Sequence, residues 1–377
     1  MDFGIIDVHA HIFPPLAGAC GFPDAATHLL HQQRAMHVHR NQPYRRARDN
    51  AIVTARPLWN EADPSPAGAA QVGFRVGRCG QFEWTVAGEE QYVQFLPPHM
   101  ADMSAPAEVL LHQMQYAGIV AAVLQNDHIY GDSAEDFAAA QRAYPGRFIG
   151  LAQVQEAFAW HHEELASLVD QVERLGMAGL YFTLVGLFRD GYSHRPDDPV
   201  YEPFWRTVAR LDLPVFWVHS GQSPIGTYAD EVGTLEAIVE RHPEIRHVLI
   251  HGLPTSLYAD ENDIVRLPPA IDRMMRDAPV TAEILYPISW GGKFEYPYIR
   301  ALGHIRQLLD AYGPDRFVWG SDMPNVERYC TYRQALTYFW EHADFLGTAE
   351  RRKLFRDNAL GLFHPERIVG LGVDKSE

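Results

Sequence analysis

Short apolar runs alternate with longer helical patterns along this sequence, and few folds accommodate that order. Eight runs rich in β-branched and aromatic residues occur, and the first is Gly4–His9. The others are Ile119–Leu124, Phe148–Ala152, Ala178–Phe182, Pro214–His219, His247–His251, Val280–Leu285 and Phe317–Ser321. Strands that alternate with helices form parallel βαβ units, and eight such units close a barrel. We therefore predict an α/β fold, a (β/α)8 TIM barrel.

The segments between these runs have the periodicity of amphipathic helices. Within residues 163–172, the leucines and valines recur at helical spacing. Residues 299–311 show the same spacing and stop before Gly313-Pro314, a typical helix end. Two more helical stretches, near residues 333–345 and 349–360, follow the last strand. We expect them to form C-terminal helices that pack outside the barrel.

The connection between the first two strands is unusually long. Residues 14–113 stand where a regular barrel has one helix and short loops. A loop that leaves the C-terminal end of a barrel strand lies on the catalytic face, so we predict that this insertion is a cap or substrate wall. The chain is then a single barrel domain over residues 1–377, and a separate domain inside the insertion is the alternative.

The end of the first strand carries the sequence Asp7-Val8-His9-Ala10-His11. Side chains two residues apart on an extended strand point to the same side, so His9 and His11 can converge on one ion. A neutral imidazole is a common protein ligand for zinc and other divalent metals. An isolated pair of this kind also occurs by chance, so it does not establish a metal site alone.

Three further strand ends carry groups of the same chemistry. His219 ends the fifth strand, His251 ends the sixth, and Asp322 follows the eighth. Catalytic groups collect at the C-terminal ends of barrel strands. Together with the histidine pair of the first strand, these residues predict one mononuclear metal site at the mouth of the barrel. Glu283, on the seventh strand, is expected either to support a ligand or to form a salt bridge inside the barrel.

These motifs resemble the amidohydrolase superfamily. The likeness rests on the histidine pair of the first strand, on the single histidines that end the fifth and sixth strands, and on residues 320–324. Residues 198–205 and 357–359 are similar to its amidohydrolase-related branch, which includes aminocarboxymuconate-semialdehyde decarboxylase. The resemblance spans the chain except for residues 14–113, and it implies a metal-dependent enzyme built on a TIM barrel.

The resemblance also implies roles for individual residues. The metal ligands would be His9, His11, His219 and Asp322. His251 would transfer protons beside a metal that is usually zinc and sometimes manganese. Binuclear relatives use a lysine between two ions, and residues 181–183 of the fourth strand contain none, which favours one ion. Several aromatic-acid decarboxylases of the branch have an acidic residue in place of His9, so this chain resembles the histidine-bearing members.

The same residues support two reactions. A bound divalent metal lowers the pKa of water from about 15.7 towards about 7 and polarises substrate oxygens. Asp322 could accept a proton, and His251 could deliver one. We predict non-oxidative decarboxylation of a small unsaturated or aromatic carboxylic acid, because of the His251-Gly252 sequence and a basic segment in the insertion. Hydrolysis of a lactone, amide or related carbonyl compound is the alternative. A barrel that only binds a partner is a third interpretation, which the complete ligand set disfavours.

The basic segment is the candidate substrate-binding region. A guanidinium group can clamp a carboxylate through two parallel hydrogen bonds, and the expected ligand is a small carboxylate. The candidates are Arg40, Arg45, Arg46 and Arg48. A solvated surface or an interface is the other interpretation of such a segment.

Composition excludes several classes of partner. The 32 basic side chains are outnumbered by 48 acidic ones, and the resulting formal charge of −16 is unsuited to a nucleic-acid backbone. No apolar run approaches the roughly 20 residues of a membrane helix, and residues 1–4 lack the start of a secretory signal. Cys20, Cys79 and Cys330 are too far apart in sequence for a thiolate zinc motif. We expect a cytoplasmic enzyme that binds neither nucleic acid nor membranes.

A homodimer is a further expectation. Homodimers are common in the family that this sequence resembles. Tyr338, Phe339 and Trp340, in the C-terminal helices, could supply an apolar interface, and packing of these side chains against the barrel is the alternative.

Overall fold

The fold is taken from a computed structural model of the 377-residue chain. The structure describes residues 3–39, 42–60, 62–63, 65–284, 296–368 and 370–371. Arg40 and Leu285, the last residue of the seventh predicted strand, lie outside these residues.

Eight of the strands in the described residues form one parallel sheet. In chain order the strands are β1 (Ile5–Ala10), β2 (Tyr44–Arg46), β3 (Ile52–Val53), β4 (Arg75–Val76), β5 (Gln81–Val86), β6 (Glu89–Gln94), β7 (Ile119–Leu124), β8 (Phe148–Ala152), β9 (Gly179–Thr183), β10 (Val215–Val218), β11 (His247–Leu249), β12 (Val280–Ile284) and β13 (Phe317–Trp319). The sheet has the order β1-β7-β8-β9-β10-β11-β12-β13, and its first and last strands meet. The predicted TIM barrel is confirmed, with strand bounds that differ by one or two residues.

The described residues form thirteen α-helices, most of which follow barrel strands and cover the outside of the barrel sheet. They are α1 (Ala25–Val38), α2 (Pro66–Ala70), α3 (Ala107–Ala117), α4 (Ala134–Ala143), α5 (His162–Glu173), α6 (Glu202–Arg210), α7 (Tyr228–Arg241), α8 (Thr255–Tyr258), α9 (Pro269–Asp277), α10 (Ile299–Tyr312), α11 (Tyr332–His342), α12 (Thr348–Arg352) and α13 (Asn358–Leu362). Short 3₁₀ helices span Glu156–Phe158, Leu184–Asp190, Pro199–Tyr201, Pro314–Arg316, Asn325–Arg328 and Pro365–Ile368, and a π-helical turn spans Lys353–Asp357. Within the described residues, no helix is both long and apolar enough to cross a bilayer.

Side chains of the barrel strands alternate between an inner and an outer apolar core. Ile6 and Val8 of β1 belong to the inner core, whereas Ile5 packs in the outer core between the sheet and the helices. Leu362 and Phe363 of the C-terminal segment also pack into the inner core. The lower part of the barrel is therefore filled with side chains, and space for a ligand remains at the C-terminal ends of the strands.

Backbone hydrogen bonds join the two ends of the barrel sheet. The amide of His11 donates to the carbonyl oxygen of Met323 at 2.7 Å, and the amide of Asp322 donates to the carbonyl oxygen of His9 at 2.9 Å. These contacts close the barrel at the two segments that carry the predicted metal ligands. We call this junction the seam.

A buried carboxylate reinforces the seam. Asp7 accepts hydrogen bonds from the amide and hydroxyl of Ser321 at 2.9 and 2.5 Å, and from the hydroxyl of Tyr332 at 2.6 Å. It also accepts the amide of His9 at 3.0 Å. Burial raises the pKa of Asp7 to about 6, although these hydrogen bonds work against the rise. Asp7 thus ties β1 to the end of β13 and to α11.

The long connection after β1 contains a second sheet. Strands β2 to β6 form an antiparallel sheet with the order β3-β2-β6-β5-β4. Its buried side chains, among them Phe82 and Trp84, share an apolar cluster with Phe13 and Tyr130 of the barrel loops. The predicted end of the insertion, residue 113, falls inside α3, which packs on β7 as a barrel helix does. The short strands were not predicted from the sequence.

The aromatic side chains of α11 face the barrel. Tyr338 and Phe339 are 0% and 1% exposed within their own chain, and the ring of Trp340 packs near Phe3 and Phe355. The proposed dimer interface on Tyr338 and Phe339 is therefore wrong, because the apolar surface of α11 is used for packing on the barrel. The homodimer itself stays a prediction.

We expect Asp7→Asn to loosen the seam. All four groups that bond to Asp7 are donors, so an amide NH2 in place of one carboxylate oxygen would face a donor and leave it unpaired. The free energy of unfolding should fall by roughly 2–4 kcal/mol, as measured by urea denaturation.

Asp310→Asn is the matched control for this measurement, because the Asp310 side chain is 75% exposed. It should change the free energy of unfolding by less than about 0.5 kcal/mol. If Asp7→Asn were as stable as the unaltered protein, the seam would not depend on this carboxylate.

Candidate active site

A bulge at the end of β1 turns two histidines towards the mouth of the barrel. Ile6 and Val8 belong to the inner core, but Ala10 belongs to the outer core, and the register with β7 shifts just before it. A bulge of this kind reverses the facing of the residues that follow. His9 and His11 alternate with Ala10, so both face the open end of the barrel.

Asp322 reaches the same place from the other side of the seam. It follows β13 and has a φ of +62°, a left-handed conformation that is uncommon for a residue other than glycine. The hydrogen bond from its amide to His9 holds the backbone there. Such strained conformations persist where the surrounding structure enforces them, and they are frequent at functional sites.

The side chains of these three residues converge. The Nε2 atoms of His9 and His11 are 3.1 Å apart, and Nε2 of His11 is 2.9 Å from Oδ1 of Asp322. Nε2 of His9 is 3.5 Å from the same oxygen. In the described part of the chain, these residues form a group of three side chains that could hold a metal ion, with all three potential ligand atoms within 4.8 Å of one another.

The other ring nitrogens show how these imidazoles are protonated. Nδ1 of His9 lies 3.0 Å from Oε2 of Glu283, and Nδ1 of His11 contacts the carbonyl oxygen of Gln125. Because a carbonyl oxygen only accepts, Nδ1 of His11 donates. Oε2 of Glu283 already accepts the backbone amide of His251, and as an acceptor it assigns the same tautomer to His9. In the neutral form of each ring, Nε2 then presents a lone pair to the other ring and to Asp322. A cation among them removes this repulsion, so the donor set fits a divalent metal ion.

Burial disfavours the charged form of three imidazoles around the site. It lowers the pKa of His9 and of His251 to about 4 and that of His219 to about 3. Burial by itself would raise the pKa of Asp322, but the hydrogen bond with His11 and the neighbouring imidazoles outweigh it and lower this pKa. Uncharged imidazoles and an ionised carboxylate are the states that metal ligands require.

His219 lines the same cavity but lies outside the convergent group. It follows β10, and its ring stacks over Trp217 at a centroid distance of 5.7 Å. Both of its ring nitrogens are buried and have no hydrogen-bond partner in the described part of the chain. A buried polar group without a partner is costly and calls for an explanation, and a bound ion is one.

Glu283 connects His9 to His251. The oxygen of Glu283 that faces Nδ1 of His9 also accepts the backbone amide of His251 at 2.9 Å. The rings of His9 and His251 are 5.3 Å apart. Burial raises the pKa of Glu283 to about 8, although His251 opposes the rise.

At Gly252, which has a φ of +71°, a Cβ atom would lie 2.1 Å from the carbonyl oxygen of Glu283, so only glycine fits.

These residues open into a cavity of about 620 Å³. Its apolar walls come from the insertion and from the barrel loops, and they include Met36, Val38, Phe95, Ile129, Val185, Val218 and Leu257. Its other polar residues include Asp127, Tyr130, Tyr181, Tyr228, Asn325 and Arg328. The cavity is large enough for a small organic molecule, and most of its exposed lining is apolar.

The arginines nominated from the sequence lie elsewhere. Arg45, Arg46 and Arg48 are on β2 and the turn after it, where they face backbone or acidic partners at the surface. None of these three lines the cavity, so the structure gives no support to a substrate role for them, and Arg40 lies outside the described residues. Among the described residues, the arginine that lines the cavity is Arg328.

Several cavity residues were not identified from the sequence. Tyr130 packs its ring 4.8 Å from that of His11, and Asn325 donates to the hydroxyl of Tyr130 at 2.8 Å and to Asp322 at 2.7 Å. Asn325 follows Asp322 by three residues, a spacing that offered a local signal. Tyr130 and Arg328 had no such signal, because the loops that carry them are positioned by distant contacts.

Comparison with known proteins identifies relatives along most of the chain. A family model described as amidohydrolase matches residues 6–364. The chain is similar to the γ-resorcylate decarboxylase of Rhizobium sp. (strain MTP-10005), with 26% identity over 58% of this chain and 71% of the relative. Relatives of the same name from Rhodococcus jostii (strain RHA1) and Rhizobium radiobacter are 27% and 26% identical over 45% and 51% of this chain. The chain spans 56% and 63% of those two relatives' own lengths.

Solved structures share the fold at lower identity. A probable 2-pyrone-4,6-dicarboxylic acid hydrolase from Acinetobacter baumannii, with citric acid bound, superposes with a TM-score of 0.52. It is 19% identical, and the match covers 70% of this chain and 90% of that one. A dihydroxybenzoic acid decarboxylase from Polaromonas sp. JS666, with bound manganese and 2-nitroresorcinol, has a TM-score of 0.50 and 17% identity over 69% and 87%. At this level of identity, the similarities to these two structures show a shared fold.

We expect Glu283→Ala to weaken metal binding by about 10- to 100-fold, because the alanine no longer fixes the tautomer and orientation of His9. Titration of the metal-free protein with zinc or manganese, followed by calorimetry, measures this affinity. Glu283→Gln keeps an acceptor for His9 and should lose less. Equal affinities in the alanine variant and the unaltered protein would show that Glu283 does not support the ligand.

Proposed function

We propose that this chain, an enzyme that belongs to the amidohydrolase family, is a metal-dependent carboxy-lyase. Its substrate would be a small unsaturated or aromatic carboxylic acid, from which it removes carbon dioxide without oxidation. The observation that carries the proposal is the convergence of His9, His11 and Asp322 beside His251 in a cavity with apolar walls. The similarity to γ-resorcylate decarboxylases over half of the chain or more favours this reaction within the family.

His9, His11 and Asp322 would hold the ion, and His219 would be the fourth ligand. The two unpartnered ring nitrogens of His219, in the part of the chain that the structure describes, support that assignment. When bound, such a cation supplies a Lewis acid that polarises substrate oxygens. Imidazole and carboxylate ligands suit zinc, our first choice, and manganese is the alternative, which the related Polaromonas decarboxylase contains.

His251 would bind the proton that is delivered to the substrate. Burial disfavours the charged form of its ring, but a substrate carboxylate brought beside the ring would favour that form and raise its pKa. His251 could then deliver a proton to the carbon atom that loses carbon dioxide. The new C–H bond replaces the C–C bond to the carboxyl group, which leaves as carbon dioxide, and one proton taken up from water would restore the charged ring of His251.

The walls of the cavity would bind the rest of the substrate. Met36, Val38 and Phe95 present apolar surface from the insertion, and Val218 does so from the barrel. Such surfaces pack against an aromatic or unsaturated carbon skeleton and exclude water. The insertion would thus be a substrate wall, as we expected from its position after β1.

Hydrolysis of a lactone, amide or related carbonyl compound is the alternative, because the same donors and proton carrier would serve it. We expect the purified enzyme to release carbon dioxide from at least one acid in a panel of aromatic and unsaturated acids. Lactones and amides in the same panel should not open. Chelation should abolish turnover, and added zinc or manganese should restore it. Ring opening without carbon dioxide from any acid would favour the hydrolase.

Two variants separate metal binding from proton transfer. His251→Asn should keep the metal and lower kcat by about 10²- to 10⁴-fold, because it removes the proton carrier and leaves the proposed ligands in place. His9→Ala should lose both metal and turnover. Elemental analysis and kcat measured on the same preparations test this, with Asp310→Asn as the surface control. Equal metal content in the two variants would mean that these roles are wrongly assigned.

A further inference from the structure

The loop that follows β7 places a carboxylate in the cavity wall. Asp127 lines the cavity and lies two residues beyond Gln125, the residue whose carbonyl oxygen contacts His11. Two contacts hold the side chain of Asp127. Oδ1 accepts the backbone amide of Ile129 at 3.1 Å, and Oδ2 accepts the hydroxyl of Tyr181 at 3.3 Å. The carboxylate is therefore a positioned part of the wall.

The carboxylate of Asp127 has no ion-pair partner in contact with it in the described part of the chain, and a longer-range attraction links it to the positive ring of the adjacent His128. Among the described residues, no arginine or lysine forms an ion pair with it, and its hydrogen bonds come from neutral donors. The adjacent His128 is bonded to Glu156 instead, at 2.7 Å. Burial opposes the charge on His128, but the Glu156 carboxylate outweighs it and raises the pKa of His128 to about 9. The positive charge of that ring is thus already paired.

Asp127 has acceptor capacity to spare. A carboxylate offers about four lone-pair sites, and the contacts with Ile129 and Tyr181 use two of them. Burial and the nearby charge of Asp127 raise the pKa of Tyr181, so its hydroxyl stays protonated and remains a donor to Asp127. A bound molecule that approaches this wall meets a negatively charged hydrogen-bond acceptor.

A second acceptor belongs to the same cavity. The amide nitrogen of Asn325 donates to Tyr130 and Asp322, and the contact with the carboxylate of Asp322, which only accepts, assigns the NH2 end of the side chain. Its Oδ1 atom is buried and has no hydrogen-bond partner in the described part of the chain, and the residue is 4% exposed. An unpaired buried acceptor is costly, and a donor on a bound molecule would satisfy it.

We propose that Asp127 is a specificity residue through which the cavity selects an acid with a hydrogen-bond-donating hydroxyl group and rejects an acid with a second carboxylate there. The inference rests on the proposed function, which places the reacting carboxylate beside His251. A hydroxyl group forms a charge-assisted hydrogen bond with Asp127. A second carboxylate meets a like charge in a partly buried cavity, where the repulsion is stronger than in water.

Matched aromatic acids test this on the metal-loaded enzyme. The probes are benzoate, the three monohydroxybenzoates and the three benzenedicarboxylates, with dissociation constants measured by calorimetry. At least one hydroxybenzoate should bind about tenfold or more tightly than benzoate, the ratio expected for one charge-assisted hydrogen bond. The benzenedicarboxylate substituted at the same position should bind more weakly than that hydroxybenzoate. The opposite order in the unaltered enzyme would overturn the proposal without any variant.

Asp127→Asn keeps the shape of the side chain and removes its charge. The preference for the hydroxyl group should fall below about threefold, and the matched dicarboxylate should bind more tightly than it does to the unaltered enzyme. Asp136→Asn, on α4 and away from the cavity lining, should leave both ratios unchanged. Thermal unfolding and metal content should match in both variants. An unchanged hydroxyl preference in Asp127→Asn would overturn the proposal.

The same panel separates this inference from the proposed function. If the binding preference depends on Asp127 but no acid releases carbon dioxide, the proposed reaction fails and the hydroxyl-binding role stands. If carbon dioxide is released while Asp127→Asn keeps the full hydroxyl preference, the reaction stands and the role of Asp127 fails.

Discussion

The site depends on the seam at which the first and last strands of the barrel meet. Hydrogen bonds between the backbones of His9, His11 and residues 322–323 bring the two ends of the sheet together. The same bonds place two imidazoles and one carboxylate within hydrogen-bond distance of each other. Asp7, two residues before His9 on β1, reinforces the seam through its hydrogen bonds with Ser321. The same backbone hydrogen bonds therefore close the barrel and bring the proposed ligands together.

Burial gives the converged groups their chemistry. Removal from water keeps the imidazoles uncharged, and Glu283 accepts hydrogen bonds from both His9 and His251. One side chain thus contacts the ring of a proposed ligand and the backbone of the proposed proton carrier. Buried lone pairs at His9, His11 and His219 disfavour the empty site, and the binding energy of a cation would offset that cost.

Loops, together with residues of the insertion, form the walls of the cavity beside the proposed site. Residues of α1 and Phe95 supply apolar wall, whereas Asp127 and Asn325 supply acceptors from loops after β7 and β13. Both groups reach the cavity through packing between segments far apart in sequence, such as the cluster that joins Phe13, Tyr130 and Trp84. Under the proposed function, the barrel would carry the reacting groups, and this periphery would select the substrate.

Local sequence patterns were sufficient to predict the barrel, the family and the edge of the sheet at which the predicted ligands lie. Apolar alternation gives the strands, and the C-terminal ends of parallel strands share one edge, so residues such as His219 and Asp322 could be assigned to it from sequence. The bulge that turns His9 inward, the pairing of His9 with Glu283 and the presence of Arg328 in the cavity needed the folded chain. They arise from contacts across hundreds of residues, which local propensity does not encode.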